Sequence, residues 1–239
     1  MDEQKLEKLQ TWVRESSRIV FFGGAGVSTE SGIPDFRGED GLYRQRYAYP
    51  PETIISHSFY VHHPEIFFDF YRNRMLYPNA KPNVVHQRLA QWERDGKLLA
   101  VVTQNIDGLH QKAGSRKVLE LHGSVLRNHC TRCGQFYGVE RIVNSRGVPR
   151  CSCGGIIKPD VVLYEESLDE DVMAEAIHYI RQADMLIIGG TSLVVYPAAG
   201  LVQYYRGHKL AVINKGGAGS GLGAAVTVDA PIGQVMAQL

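Results

Sequence analysis

The 239-residue chain lacks most of what would place a protein in a membrane, outside the cell or along nucleic acid. No apolar run approaches the roughly 20 residues that span a bilayer. The opening Met1-Asp2-Glu3-Gln4-Lys5 lacks the basic-then-apolar layout of a secretory signal. Neither sign of charge is in excess, with 26 Lys+Arg against 25 Asp+Glu, so there is no chain-wide basic footprint for nucleic acid. Cysteine is scarce, and the four present all fall between Cys130 and Cys153, which argues against a disulfide framework. The expectation is a cytoplasmic protein with neither a membrane nor a nucleic acid as partner. What is present is ordinary globular composition, 44% hydrophobic and 21% charged, in a chain long enough for one large domain with a small insert.

The even charge hides a local asymmetry. From Lys112 to Lys158 there are nine Lys/Arg and two Glu, and from Asp160 to Glu175 seven Asp/Glu and no Lys/Arg. Such blocks are usually solvated faces. The cysteines lie inside the basic stretch as two pairs, Cys130-Thr131-Arg132-Cys133 and Cys151-Ser152-Cys153, each followed by glycine. In a reducing compartment, thiolates from two tight turns can close a tetrahedral site around one structural Zn2+. The competing reading is incidental or redox-active thiols. The single residue between Cys151 and Cys153 makes the second turn tighter than the usual spacing of two.

Apolar periodicity predicts an amphipathic helix over residues 3–16 through Leu6, Leu9 and Val13. The run Arg18–Phe22 then ends in Gly23-Gly24-Ala25-Gly26, a buried parallel strand followed by a glycine turn. Further strands are predicted at Leu98–Thr103, Val118–Leu121, Asp160–Tyr164, Met185–Ile188 and Leu210–Ile213, with helices near 64–76, 84–95, 168–182 and 197–206. This alternation predicts a parallel α/β sheet. The Gly- and Cys-bearing stretch 124–159 interrupts it.

The polar groups cluster where the strands end. Gly24, Ala25 and Gly26 open the first turn, where bare backbone can accept a phosphate. Thr29 stands where a third fingerprint glycine would be, so a tight turn without a ligand is the bland alternative. Gly32-Ile33-Pro34-Asp35-Phe36-Arg37 follows. Thr103-Gln104-Asn105-Ile106-Asp107 and Glu120-Leu121-His122-Gly123 put amide, carboxylate and imidazole at two strand ends, where open α/β sheets bind ligands. Any one of these residues alone is more often a satisfied structural partner. Their order around a glycine turn, beside a four-cysteine knuckle, is much more specific.

From about residue 4 to the C-terminus the chain resembles the sirtuins, NAD-dependent protein-lysine deacylases, and most closely the bacterial type. The resemblance rests on Gly24–Ser28, Gly32–Arg37, Gln104–Asp107, His122-Gly123, the cysteine cluster, Gly190-Thr191-Ser192 and Asn214. It implies a Rossmann-like doubly wound parallel sheet with a small zinc-ribbon and helical domain inserted. The NAD-binding domain would comprise residues 1–36, 81–123 and 160–239. Residues 37–80 would form the cofactor loop and helical part of the small domain, and 124–159 its zinc ribbon.

The resemblance also assigns roles. Gly24, Ala25, Gly26, Thr29, Asp35, Phe36 and Arg37 would form the NAD-binding turn and its closing loop. Gln104 and Asn105 would contact the nicotinamide ribose, and Ile106 and Asp107 the nicotinamide. Gly190, Thr191, Ser192, Asn214 and Ile232 would hold the adenosine half. His122, with Asn105, would be catalytic, His122 as general base. Cys130, Cys133, Cys151 and Cys153 would hold zinc. An acyl-lysine peptide would pair as a strand near Val161 on one side and Leu193 and Val194 on the other, with the acidic run 165–171 favouring basic peptides. A monomer is expected.

Three other readings compete. Tyr71-Arg72-Asn73-Arg74 resembles the Tyr-x-x-Arg of sirtuins that remove succinyl or malonyl groups. A mono-ADP-ribosyltransferase could use the same scaffold. The basic ribbon could also bind nucleic acid.

Overall fold

The computed structural model describes residues 2–36, 41, 47–216 and 223–239. The strands are β1 (Ile19–Gly23), β2 (Leu98–Thr103), β3 (Val118–Glu120), β4 (Gly123–Cys130), β5 (Phe136–Tyr137), β6 (Ile157–Val161), β7 (Met185–Gly189), β8 (Lys209–Ile213) and β9 (Val226–Val228). The helices are α1 (Glu3–Glu15), α2 (Pro51–Ile54), α3 (His57–His62), α4 (Pro64–Arg74), α5 (Val84–Arg94), α6 (Leu109–Lys112), α7 (Val139–Val143), α8 (Glu170–Gln182) and α9 (Ile232–Met236). Short 3-10 turns cover Ala25–Val27, Thr29–Ser31 and Ala198–Tyr204.

Six strands form one parallel sheet in the order β3-β2-β1-β7-β8-β9. Both faces are covered, which is why these strands read as unbroken apolar runs. Ile19 and Phe21 of β1 face the side closed by Leu9 and Val13 of α1, Leu89 of α5 and Val235 of α9. Val20 and Phe22 face the other side, against Ala176 and Ile180 of α8 and Leu201 and Val202. Helix α1 begins where the Asp2 carboxylate accepts the Gln4 and Lys5 amides, the usual N-cap bond.

A second sheet, antiparallel and ordered β5-β4-β6, enters the chain between β3 and β7. It packs with α3, α4 and α7 on a separate core built around Tyr60, Phe67, Phe68, Tyr71, Ile142 and Ile157. The strand predicted over Asp160–Tyr164 therefore needs correction. The strand there is β6, which ends at Val161, runs antiparallel to β4 and does not join the parallel sheet. Beyond it the Val162 amide donates to the His122 carbonyl and the Tyr164 amide to the Ile55 carbonyl, so the chain leaves the sheet. The helix predicted near 197–206 is a 3-10 segment after a cis Tyr196-Pro197 bond. Strand β9 and helix α9 carried no recognised sequence signal.

Candidate active site

Strand order reverses between β1 and β7, and in doubly wound sheets the crevice beyond such a point binds ligands. Here the two strand ends interlock. The Gly24 amide donates to the Gly189 carbonyl at 3.2 Å and the Gly26 amide to the Gly190 carbonyl at 2.8 Å. A Cβ on Gly26 would lie 2.8 Å from the Gly190 Cα, and one on Gly24 2.7 Å from the Thr191 Cβ. Gly190 itself sits at φ 62°, which a side chain would strain. The glycines are therefore required by the crossing of the two turns, and the turn fits the close backbone approach of a dinucleotide.

The residues after β2 are tied to this turn. The Gln104 amide donates to the Gly23 carbonyl, and its side-chain Oε1 accepts from the Thr191 hydroxyl at 2.7 Å. Its Nε2 is buried and has no partner among the described residues, a donor aimed where a ligand oxygen could satisfy it. The Asn105 amide donates to the Thr103 hydroxyl, and its Nδ2 donates to the Ser28 hydroxyl at 3.1 Å. Ser28 in turn donates to Asp107 Oδ2 at 2.6 Å, while Asp107 Oδ1 accepts the Leu109 amide at 2.9 Å. One chain of hydrogen bonds thus fixes Asn105, Ser28 and Asp107 together.

His122 follows β3. Its Nδ1 lies 3.1 Å from the Gln104 carbonyl oxygen. A carbonyl only accepts, so Nδ1 carries the hydrogen and Nε2 keeps its lone pair. Burial pushes the imidazole below its ordinary value of 6.5, partly opposed by that hydrogen bond. His122 is neutral at pH 7, in the tautomer a general base needs.

These groups line a cleft of about 640 Å³ together with Ala25, Phe36, Ile106 and Val161. Gly24, Gly26, Thr29, Asp35, Gly190, Thr191, Ser192, Asn214, Ile232, Leu193 and Val194 lie outside its wall. Within that second set, Asn214 is locked to Thr191 by paired bonds: Oδ1 accepts the Thr191 amide at 3.0 Å and Nδ2 donates to its carbonyl at 2.7 Å. Ile232 is buried in the sheet core against Gly189. Thr29 and Ser192 are exposed, and Asp35 is half-buried. Arg37 lies outside the described residues.

Sequence reasoning did not single out the role of Ser28, although it stands inside the glycine motif. It also missed the apolar wall of Met75, Leu76, Val125 and Leu126. Met75 and Leu76 directly follow α4, and Val125 and Leu126 lie within β4.

One expectation about specificity changes. Tyr71 is fully buried in the small core, stacked on Phe67, so only Arg74 of the Tyr-x-x-Arg pair reaches the cleft wall. The acidic run is only partly engaged. Glu166 pairs with Lys158 at 3.1 Å and His57 at 2.8 Å, and Glu165 binds Ser58. Only the Glu166 charge is neutralised: serine leaves the Glu165 charge in place, and Asp169, Glu170 and Asp171 are exposed.

The four cysteine sulfurs lie within 4.8 Å of one another, with Cys130–Cys153 at 3.4 Å and Cys133–Cys151 at 3.6 Å. A tetrahedron with metal–sulfur bonds of about 2.3 Å has edges of about 3.8 Å, so the cluster fits one Zn2+. The Arg132 amide points at Cys130 Sγ and the Tyr137 hydroxyl at Cys151 Sγ, and the latter bond leads in lowering the Cys151 thiol to about 6. These contacts favour thiolates, as a metal ligand requires. The tight Cys151–Cys153 spacing does not prevent closure of the site.

A doubly wound sheet with its glycine crossing, an oriented neutral histidine beyond β3 and a thiolate-braced insert belong to the dinucleotide-dependent enzymes. The model of the Sir2 family matches residues 24–197, and the chain belongs to that family. It is 55% identical over 241 residues to the NAD-dependent protein deacetylase of Clostridium perfringens, covering 99% of each chain. It is 54% identical to the Clostridium acetobutylicum protein of the same name, covering 97% of this chain and 96% of that one. Among solved structures, a Sir2 protein with deacetylated p53 peptide and 3′-O-acetyl-ADP-ribose superposes with a TM-score of 0.89 at 38% identity, covering 98% and 96% of the two chains. A Sir2 complex with p53 peptide and NAD+ gives 0.85 at 38% identity, with the same coverage.

Proposed function

We propose that this chain removes acetyl groups from protein lysines with NAD as co-substrate, releasing nicotinamide and O-acetyl-ADP-ribose. The observation that carries the reading is neutral His122, its Nδ1 held by Gln104 and its ring on the cleft wall beside Asn105 and Asp107. The names of the Clostridium relatives and the acetyl-ADP-ribose and peptide in the neighbouring structures support it.

The crossing glycines, the orphaned Gln104 Nε2 and the Asn214–Thr191 lock fit NAD. Gly24, Ala25, Gly26 and Thr29 would hold its phosphates, and Gly190, Thr191, Ser192, Asn214 and Ile232 its adenosine half. Gln104 and Asn105 would meet the nicotinamide ribose, and Ile106 and Asp107 the nicotinamide. When bound, NAD supplies an electrophilic ribose carbon and a neutral leaving group. His122 Nε2 takes the proton from a ribose hydroxyl, a step worth about 10²–10⁴-fold. Phe36 would keep water from the reacting face, and Asp35 and Arg37 would contribute to binding NAD.

Cys130, Cys133, Cys151 and Cys153 hold a structural Zn2+ that braces the insert. The peptide lies between Val161 and Leu193–Val194, its main chain pairing with both banks. Residues 1–36, 81–123 and 160–239 act as the NAD-binding domain, with 37–80 as the cofactor loop and helical part of the small domain and 124–159 as its zinc ribbon. The cytoplasm as location and a monomer as state complete the proposal.

Mass spectrometry of an acetyl-lysine peptide incubated with and without NAD tests it. NAD-dependent loss of acetyl with formation of O-acetyl-ADP-ribose is expected. NAD consumption with ADP-ribose attached to protein would overturn it in favour of ADP-ribosyl transfer. With Tyr71 buried, the acetyl peptide is expected to turn over faster than its succinyl or malonyl counterparts.

A further inference from the structure

Between β6 and α8 the chain crosses the cleft rim as Val162-Leu163-Tyr164-Glu165-Glu166. Much of the main chain of this segment is already bonded. Tyr164 exchanges bonds with Ile55 and His57, its amide donating at 3.1 Å and its carbonyl accepting at 2.9 Å. The Leu163 amide donates to the Glu166 carboxylate at 2.9 Å. The amide and carbonyl of Glu165, which lines the cleft, have no hydrogen-bond partner among the described residues. Unpaired main-chain groups on a cleft wall can bond the main chain of an extended peptide.

Glu165 is also the only non-glycine residue besides Leu193 with positive φ among the described residues, at 76°. Such a conformation costs free energy and persists only where its surroundings enforce it. Two contacts enforce it: the Glu166 amide donates to the Leu163 carbonyl at 3.0 Å, closing a turn with Glu165 at its third position, and the Glu165 carboxylate is held on α3. Oε2 accepts the Ser58 amide at 2.8 Å and Oε1 the Ser58 hydroxyl at 3.0 Å. The Ser58 amide is one of the unpaired donors in the first turn of α3, and a charged acceptor there makes a strong bond.

We infer that Glu165 is a positioning residue for the protein substrate: its carboxylate latches the cleft rim to α3, and so holds its main chain in the conformation that pairs with the acyl-lysine peptide. This rests on the deacetylase reading and extends it to a side chain outside the chemistry. The latch touches neither the NAD turn nor His122. Its loss should weaken peptide binding alone.

The test is steady-state kinetics of the purified protein with an acetyl-lysine peptide and NAD, alongside fluorescence anisotropy of the labelled peptide without NAD. Glu165→Ala and Ser58→Ala should each raise the peptide KM and Kd about fivefold or more, leaving the NAD KM and kcat within about twofold. Glu165→Gln keeps an oxygen for the Ser58 amide and an NH2 for its hydroxyl, and should stay within about twofold of the parent throughout. Glu165→Gly separates latch from strain, since glycine adopts φ 76° freely but has no carboxylate. It should resemble the alanine variant. A glycine variant with the parent's peptide affinity would overturn the latch, as would equal rises in the peptide and NAD constants. A parent protein that binds the peptide without NAD-dependent turnover would count against the deacetylase reading, while anisotropy still decides the latch. A parent that binds no peptide would overturn both.

Discussion

His122 concentrates the chemistry in one atom, because the Gln104 carbonyl takes its Nδ1 hydrogen and leaves Nε2 as the base. His122→Ala should lower kcat by about 10²–10⁴-fold with little change in the NAD KM. Because burial lowers this pKa from 6.5, the neutral base persists into mild acid. The acid limb of kcat/KM, read from a pH–rate profile, should therefore fall below pH 6.5. Two other histidines make stability depend on acid. The rings of His86 and His110 lie 4.7 Å apart, and burial lowers them to about 4 and about 3. Their folded pKa values lie below the unfolded 6.5, so the unfolded chain binds protons first as pH falls. Their contribution to stability is complete above pH 6.5 and is lost as pH drops from there toward 4. Melting temperature measured across that window should fall steeply, and His110→Phe should flatten the fall.

The glycine crossing is a property of two elements at once, β1 and β7. Gly26→Ala would drive a methyl into the Gly190 backbone, where no flexible side chain can yield. Overpacking of this kind costs about 1–3 kcal/mol, and the turn it displaces also holds Ser28 and, through it, Asp107. The expected outcome is a lower melting temperature with an NAD KM raised about tenfold, measured on the same preparation. At this scale much was legible in the sequence. Parallel strands buried on both faces write themselves as apolar runs, so β1, β2, β7 and β8 could be read, and with them the polar groups at their ends. The Val161-Val162-Leu163 run looked like another such strand, yet only Val161 of it is in a strand, and that strand is antiparallel. Apolar content does not say which sheet a strand joins. Tyr71 and Arg74 share a helix face by spacing, but spacing does not say that α4 turns Tyr71 into the core. Strand β9 is three residues long, too short for any periodicity to show. Ser28 and Glu165 act through partners 79 and 107 residues away, and no local pattern encodes those distances.

At the scale of the molecule, the small module hangs together by the four thiolates and an aromatic core. Removing the metal should unfold that module first, since structural zinc contributes about 10–16 kcal/mol of binding free energy to the site it closes. A strong chelator is expected to abolish deacetylation, while far-UV circular dichroism keeps most of the α/β signal; Cys133→Ser should do the same without chelator. The sheet order has its own consequence for how the chain comes off the ribosome. The middle of the large sheet is the pairing of Ile19–Gly23 with Met185–Gly189, more than 160 positions apart. Strand β1 therefore waits, with one flank bare, until Met185–Gly189 has been made. The zinc module is finished by then, because its strands and helices all lie before residue 166. Folding thus finishes in the inserted piece before it finishes in the large sheet, and the nascent chain must hold an apolar strand in reserve, exposed to whatever binds such edges.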